Sequence, residues 1–154
     1  LLSQEEFLLE EATIMPGVPK VLEGPSTVPY VNALLTGNVA SAAELKLRAI
    51  GLWNYFDFGA FGDDAAFRPD LVPVAWERAT HCLHHSFAPE DTWIIGDTPL
   101  DLEAGRAHGV NVILVGTNPG VQWEALERSE PELLMKNLSD YSMFWDKISA
   151  RASC

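Results

Sequence analysis

Short apolar runs alternate with helix-forming stretches along this chain. Tyr30-Val31-Asn32-Ala33-Leu34-Leu35, Trp93-Ile94-Ile95-Gly96 and Asn111 to Val115 are short and apolar on successive residues. That pattern predicts strands buried on both faces. Tyr55 to Phe61 alternates and predicts another strand, while Leu133 to Lys136 predicts a weak edge strand. Helices are expected over Ser3 to Ala12, with Phe7, Leu8 and Leu9 as its apolar residues, and over Val18 to Glu23. Ala40 to Ile50 is rich in Ala, Glu, Leu, Lys and Arg and is stopped by Gly51. Leu71 to Leu83 predicts a further helix, with Gly62 to Pro69 as the loop before it. Thr98 then stands at an N-cap, with Pro99 at the first helical position and Gly109 closing the helix after His108. Trp123 to Arg128 and Tyr141 to Ile148 complete the set.

Strands that alternate with helices imply a doubly wound parallel sheet, an α/β Rossmann-like architecture. Sites in such sheets lie at the carboxyl ends of the strands. Thr36 and Asp97 both stand there.

Composition narrows the function. The 154 residues are 47% hydrophobic and 21% charged, enough for one domain with its own core. No apolar run reaches the roughly 18–20 residues of a membrane span. The segment Leu1 to Glu11 is rich in Glu, unlike the basic start of a secretory signal. A net charge of −12 with scattered basic residues argues against a nucleic-acid partner. The two cysteines, Cys82 and Cys154, make no disulfide framework, so a reducing cytoplasm is expected and Cys82 is expected in the core. His81, His84 and His85 cluster without an acidic or thiol ligand nearby and are expected at a solvated helix end.

Three places carry chemistry. In Thr36-Gly37-Asn38 a hydroxyl, a glycine and a helix start follow a strand, an arrangement suited to an anion. An ordinary strand-to-helix turn would read the same from these three residues alone. In Gly96-Asp97-Thr98-Pro99-Leu100-Asp101, Asp97 leaves the sheet at its carboxyl edge. A carboxylate there is costly unless it is paired or bound to a cation. A hard cation such as Mg²⁺ takes one or two carboxylates and keeps water or phosphate as its other ligands. Asp101 lies four residues on and can face the same site, cap the helix in a Thr-x-x-Asp box, or do both. Arg68 supplies one fixed positive charge in the loop before the helix over 71–83, or is simply a surface arginine.

From Met15 to Gly120 the chain resembles the haloacid-dehalogenase-like hydrolases, phosphatases of the phosphoglycolate phosphatase type in particular. The resemblance rests on Met15-Pro16-Gly17-Val18, on Leu34-Leu35-Thr36-Gly37-Asn38 as a second motif and on Gly96 to Asp101 with Glu103-Ala104-Gly105 as a fourth. The stretch Gly59-Ala60-Phe61-Gly62-Asp63-Asp64 is also similar. It implies a Mg²⁺-dependent phosphomonoester hydrolase that works through an aspartyl-phosphate on a small phosphorylated metabolite. Thr36, Gly37, Asn38 and Arg68 would bind phosphate, Asp97 and Asp101 would serve the metal, and Thr36, Arg68 and Asp101 are the candidate catalytic residues. The third family motif is usually a lysine, and no lysine occurs between Lys46 and Lys136. Arg68 stands at the matching place.

The larger departure lies upstream. The family opens with Asp-x-Asp on a central strand, yet the first aspartate here is Asp57. The resemblance therefore implies a core over 13–154 that lacks its central first strand, between the strands ending at Thr36 and Asp97. It also implies that 1–12 is the tail of a helical cap, that the chain is a fragment without turnover, and that its open sheet edges self-associate. Two other readings differ in class. One is a non-catalytic phosphate- or metal-binding remnant acting through a partner. The other is a receiver-type signalling domain, which should carry an acceptor Asp at the strand end where Thr36 stands.

Overall fold

The computed structural model describes residues 13–152. The helix expected over 3–12 lies outside the described residues. The elements run in the order α1 (Val18–Glu23), β1 (Ala33–Leu35), α2 (Ala40–Ala49), β2 (Phe58–Ala60), α3 (Arg68–Leu83), β3 (Trp93–Gly96), α4 (Pro99–His108), β4 (Asn111–Val115), α5 (Trp123–Arg128), β5 (Leu133–Met135) and α6 (Tyr141–Ala152). Every strand pairing is parallel. This is the α/β doubly wound class that the strand–helix alternation predicts.

β4 shows why the sheet is covered on both faces. Its residues alternate between two cores. Val112 and Leu114 pack with Val72, Ile94, Ala104 and Leu126, from the side of α3, α4 and α5. Ile113 and Val115 pack with Val21, Met135, Phe144 and Trp145, from the side of α1 and α6. A strand apolar on both faces, as Val112 to Val115 is, can be buried only in this way. Ile113 has no exposed surface, and truncating such a residue to Ala costs about 2–5 kcal/mol.

The sheet is broken in two. β1 pairs with β2, and separately β3, β4 and β5 pair in that order. Among the described residues nothing pairs with the second edge of β1 or of β3. Both edges face one cleft lined by Leu35 and Thr36 on one side and by Ile95, Gly96 and Asp97 on the other. Ile95 sits mid-strand and is still 40% exposed, as expected of a strand residue that lacks a neighbour.

One helix holds the halves together. α3 packs on β1 and β2 and also on α4, which covers β3 and β4. Pro73 lies inside α3 and has no N–H for the carbonyl of Pro69 one turn earlier. His108, at the end of α4, supplies the missing donor: its Nε2 lies 2.8 Å from the Pro69 oxygen. Since a carbonyl only accepts, Nε2 carries the proton.

Some expectations change. Arg68 is the first residue of α3, not a loop residue, because Phe67 in an extended conformation and Pro69 start the helix earlier than the apolar pattern does. Cys82 is exposed: it lies one residue before the end of α3, among the exposed His81, His84 and His85. The strand expected over 30–35 shortens to Ala33–Leu35, because Tyr30 and Asn32 turn to hydrogen-bond the end of α1. In 55–61, Tyr55 closes a single 3-10 turn and only Phe58–Ala60 pairs.

Candidate phosphate site at the split edge

The cleft between β1 and β3 has a volume of about 340 Å³ and brings Thr36, Arg68, Asp97 and Asp101 together at the strands' carboxyl ends. Met15, Pro16 and Thr117 also line it. Thr117 was not singled out in the sequence, although the strand-end rule that selects Thr36 and Asp97 also applies just beyond β4.

On the β3 rim the geometry is set by Asp101, only 2% exposed. Its Oδ2 accepts the backbone N–H of Asp97 at 3.2 Å, that of Thr98 at 3.1 Å and the Thr98 hydroxyl at 3.0 Å. Its Oδ1 accepts from Arg68 Nη1 in an ion pair. The Thr-x-x-Asp capping box is therefore formed, with both reciprocal bonds present. Gly96 is dictated by the same carboxylate: a Cβ there would lie 2.0 Å from the Asp101 carboxyl carbon.

With Asp101 so engaged, the carboxylate left facing the cleft is that of Asp97. It accepts no hydrogen bond from the described residues. Arg68 spends only Nη1 on Asp101, and a guanidinium has four further N–H donors. Its side chain is 29% exposed, so it remains open to a ligand in the cleft.

On the β1 rim, the Thr36 N–H donates to Ala60 O at 3.1 Å and the Asn38 N–H donates to Thr36 Oγ1 at 3.1 Å. The Ala40 N–H at the start of α2 is taken by Asp63 Oδ2 at 3.0 Å. Two of the N–H groups that a helix start would offer an anion are thus already bonded. Those of Gly37 and Val39 have no partner among the described residues.

The tight backbone contact beside this loop is at Gly62. Nothing lies within 4 Å of a Cβ on Gly37, whereas one on Gly62 would lie 2.2 Å from the Gly37 carbonyl oxygen. The Gly62 N–H also donates to Asn38 O at 2.8 Å.

Behind that contact stands an ion pair the sequence did not single out. Arg78 grips Asp64 through Nη1 and Nη2 at 2.7 and 2.6 Å. Hydrogen bonds from Arg78, then from the Phe61 N–H, hold the Asp64 carboxyl below its ordinary pKa against a smaller upward push from burial.

His81, His84 and His85 are exposed, as expected of a solvated helix end. Among the described residues no group of three or more His, Cys, Asp or Glu is placed to hold a metal.

Comparison with known proteins shows the family of the chain. The model of the haloacid dehalogenase-like hydrolase family matches residues 3–115. The chain belongs to that family. It is 30% identical over 132 residues to the Probable phosphatase IndB of Dickeya dadantii (strain 3937), covering 82% of this chain and 54% of that protein. It is 30% identical over 121 residues to a Phosphoglycolate phosphatase of Nitrosospira multiformis, covering 77% of this chain and 52% of that one. The fold superposes on a HAD phosphatase from Thermococcus onnurineus with a TM-score of 0.71 at 19% identity, covering 93% of this chain and 64% of the other. The chain thus spans about half the length of the curated relatives it matches.

Proposed function

We propose that this chain carries the phosphate- and metal-binding half of a phosphomonoesterase that acts on a small phosphorylated metabolite in the cytoplasm. The observation that carries the reading is the convergence of Thr36, Arg68 and Asp97 on one cleft at the carboxyl ends of two parallel strands. Thr36 Oγ1 already accepts from Asn38, so its proton is free to donate to a phosphoryl oxygen, and the Gly37 N–H would donate beside it. Arg68 would add a charged hydrogen bond.

Charge explains the need for a cation. Asp97 and Asp101 against Arg68 leave the cleft one unit negative, which repels a phosphate dianion. The donor set fits Mg²⁺: Asp97 is a carboxylate without a partner among the described residues, and Mg²⁺ takes one or two carboxylates beside water and phosphate. When bound, Mg²⁺ would supply the neutralising charge. Asp101 would act at one remove, by fixing the backbone of Asp97.

Among the described residues the cleft contains Asp97 and Asp101 but no further carboxylate to attack phosphorus. The reading is therefore that these residues bind without turning over, and that the attacking carboxylate comes on a strand entering between β1 and β3. Two unpaired edges are also a route to self-association. The same observations support a binding-only role through a partner, which differs in never gaining turnover.

The test is calorimetric titration with inorganic phosphate and Mg²⁺, with a parallel assay on para-nitrophenyl phosphate. Phosphate should bind only when Mg²⁺ is present, Asp97→Ala should abolish that Mg²⁺-dependent binding, and turnover should be absent. Equal phosphate binding by parent and Asp97→Ala would refute the site. Turnover lost in Asp97→Ala would refute the missing nucleophile.

A further inference from the structure

The loop after β2 touches the phosphate loop at several independent points. Thr36 N–H donates to Ala60 O at 3.1 Å, Gly62 N–H donates to Asn38 O at 2.8 Å, and Ala40 N–H donates to Asp63 Oδ2 at 3.0 Å. Gly62 packs so closely under Gly37 that a methyl group there would overlap the Gly37 carbonyl. Yet α2 has no side-chain cap of its own, because Val39 stands at its N-cap position. The conformation of Thr36-Gly37-Asn38 is therefore imposed from outside, by 60–63.

That loop is in turn held by one side chain. Arg78 Nη1 donates to the Gly59 carbonyl at 2.6 Å, and the guanidinium fork holds both oxygens of Asp64. Asp64 Oδ2 accepts the Phe61 N–H at 2.8 Å, and the Asp64 N–H returns a bond to Phe61 O at 2.8 Å. A turn so closed has a single register against β1. Arg78 sits ten residues along α3 from Arg68, about 15 Å at 1.5 Å per residue. The helix that presents the cleft's cation thus also anchors the loop under its hydroxyl.

We propose that Arg78 is a positioning residue for the phosphate loop: through Asp64 and the turn 61–64 it fixes the placement of Thr36, Gly37 and Asn38 without touching the ligand. The proposal rests on the phosphate-binding reading above and specifies what sets that site's geometry. A guanidinium suits the task because its planar fork fixes both the distance and the angle of a carboxylate. A lysine would keep the charge and lose the angle.

The experiment compares the full 154-residue chain with Arg78→Ala, Arg78→Lys and Asp64→Asn by amide hydrogen exchange, and by NMR titration with inorganic phosphate and Mg²⁺. In Arg78→Ala and Asp64→Asn, exchange at Gly62 and Ala40 should quicken at least tenfold, while Thr98 and Ile113 keep parent rates. Phosphate affinity read at the Gly37 amide should fall at least fivefold, with Arg78→Lys between parent and Ala. Unchanged exchange at Gly62 and Ala40 overturns the proposal. So does acceleration spread equally to Ile113, which marks general loss of stability. Faster local exchange with undiminished phosphate affinity overturns it as well. If the parent binds no phosphate, the functional reading fails, while the exchange pattern still decides whether Arg78 locks the loop.

Discussion

The two rims of the cleft solve the same problem by different means. On the β3 rim, Asp97 is fixed by Asp101, four residues away, through a capping box closed within a single helical turn. On the β1 rim, Thr36 is fixed by residues more than 20 positions later, and those residues by Arg78 on a different helix. The first arrangement is buried and local. The second is partly exposed and long-range, with Arg78 38% and Asp64 19% open to solvent. A buried local clamp is strong and forms with its helix, whereas an exposed relay can open separately from the core.

The largest break in this comparison is expected from Asp101. Asp101→Ala removes the partner of the buried backbone N–H groups of Asp97 and Thr98 and strands the Arg68 charge. Breaking a buried pair from one side costs about 3–5 kcal/mol. A denaturant midpoint should fall accordingly. Asp101→Asn keeps one acceptor oxygen and should lose less. A midpoint within error of the parent for Asp101→Ala would mean that Arg68 is satisfied elsewhere and that the rim is not clamped.

Next comes the glycine pair, Gly62 and Gly37. Gly62→Ala forces a Cβ against the Gly37 carbonyl, whereas Gly37→Ala meets open space at a φ outside the left-handed region. Overpacking against backbone costs about 1–3 kcal/mol. Gly37→Ala should be near neutral in a thermal melt. The opposite ranking would place the tight contact at Gly37 itself.

The bridge between the rims is tested by His108. Its Nε2–H serves the Pro69 carbonyl that Pro73 cannot, so His108→Ala should cost about 1–3 kcal/mol for an unsatisfied carbonyl. Pro73→Ala restores an N–H inside α3 and should recover much of that loss in the double variant. Additive losses in the cycle would show that the two sites are independent.

This contrast also accounts for how far the sequence could be read. Thr98-Pro99-Leu100-Asp101 announces its structure in four adjacent letters, and the chain forms that box. The continuous apolar run of β4 predicts burial on both faces, and every residue of β4 is buried. Helix and strand order is legible for the same local reason. The Asp63 bond to Ala40, the Arg78 grip on Asp64 and the His108 bond to Pro69 join residues 14 to 39 positions apart. No local spacing encodes such contacts. Arg78 is one charged residue among others on an amphipathic helix until the fold brings Asp64 to it. Arg68 lies between these cases. Its charge is legible, but its bond to Asp101, 33 positions on, is not.

The smallest effect should be the response of the β1 rim to acid. Asp64 has a folded pKa below its ordinary value, chiefly because Arg78 donates to it. A carboxyl with a depressed folded pKa adds stability that is fully present above the unfolded value near 3.8 and is lost as pH falls through the folded one. Acidification below about pH 4 should therefore loosen the turn 61–64. Glu132 follows the same sign. Burial pushes its pKa up, but Arg106 and the Val112 N–H together outweigh that and lower it. The two acids can be told apart by place. Asp64→Asn should remove the acid-dependent part of exchange at Phe61 and leave that at Val112 intact. Salt should weaken both effects, because Arg78 and Arg106 are each exposed enough for screening. An Asp64→Asn chain whose Phe61 amide keeps the parent's acid profile would show that the β1 rim is held by its backbone contacts, with the ion pair a spectator.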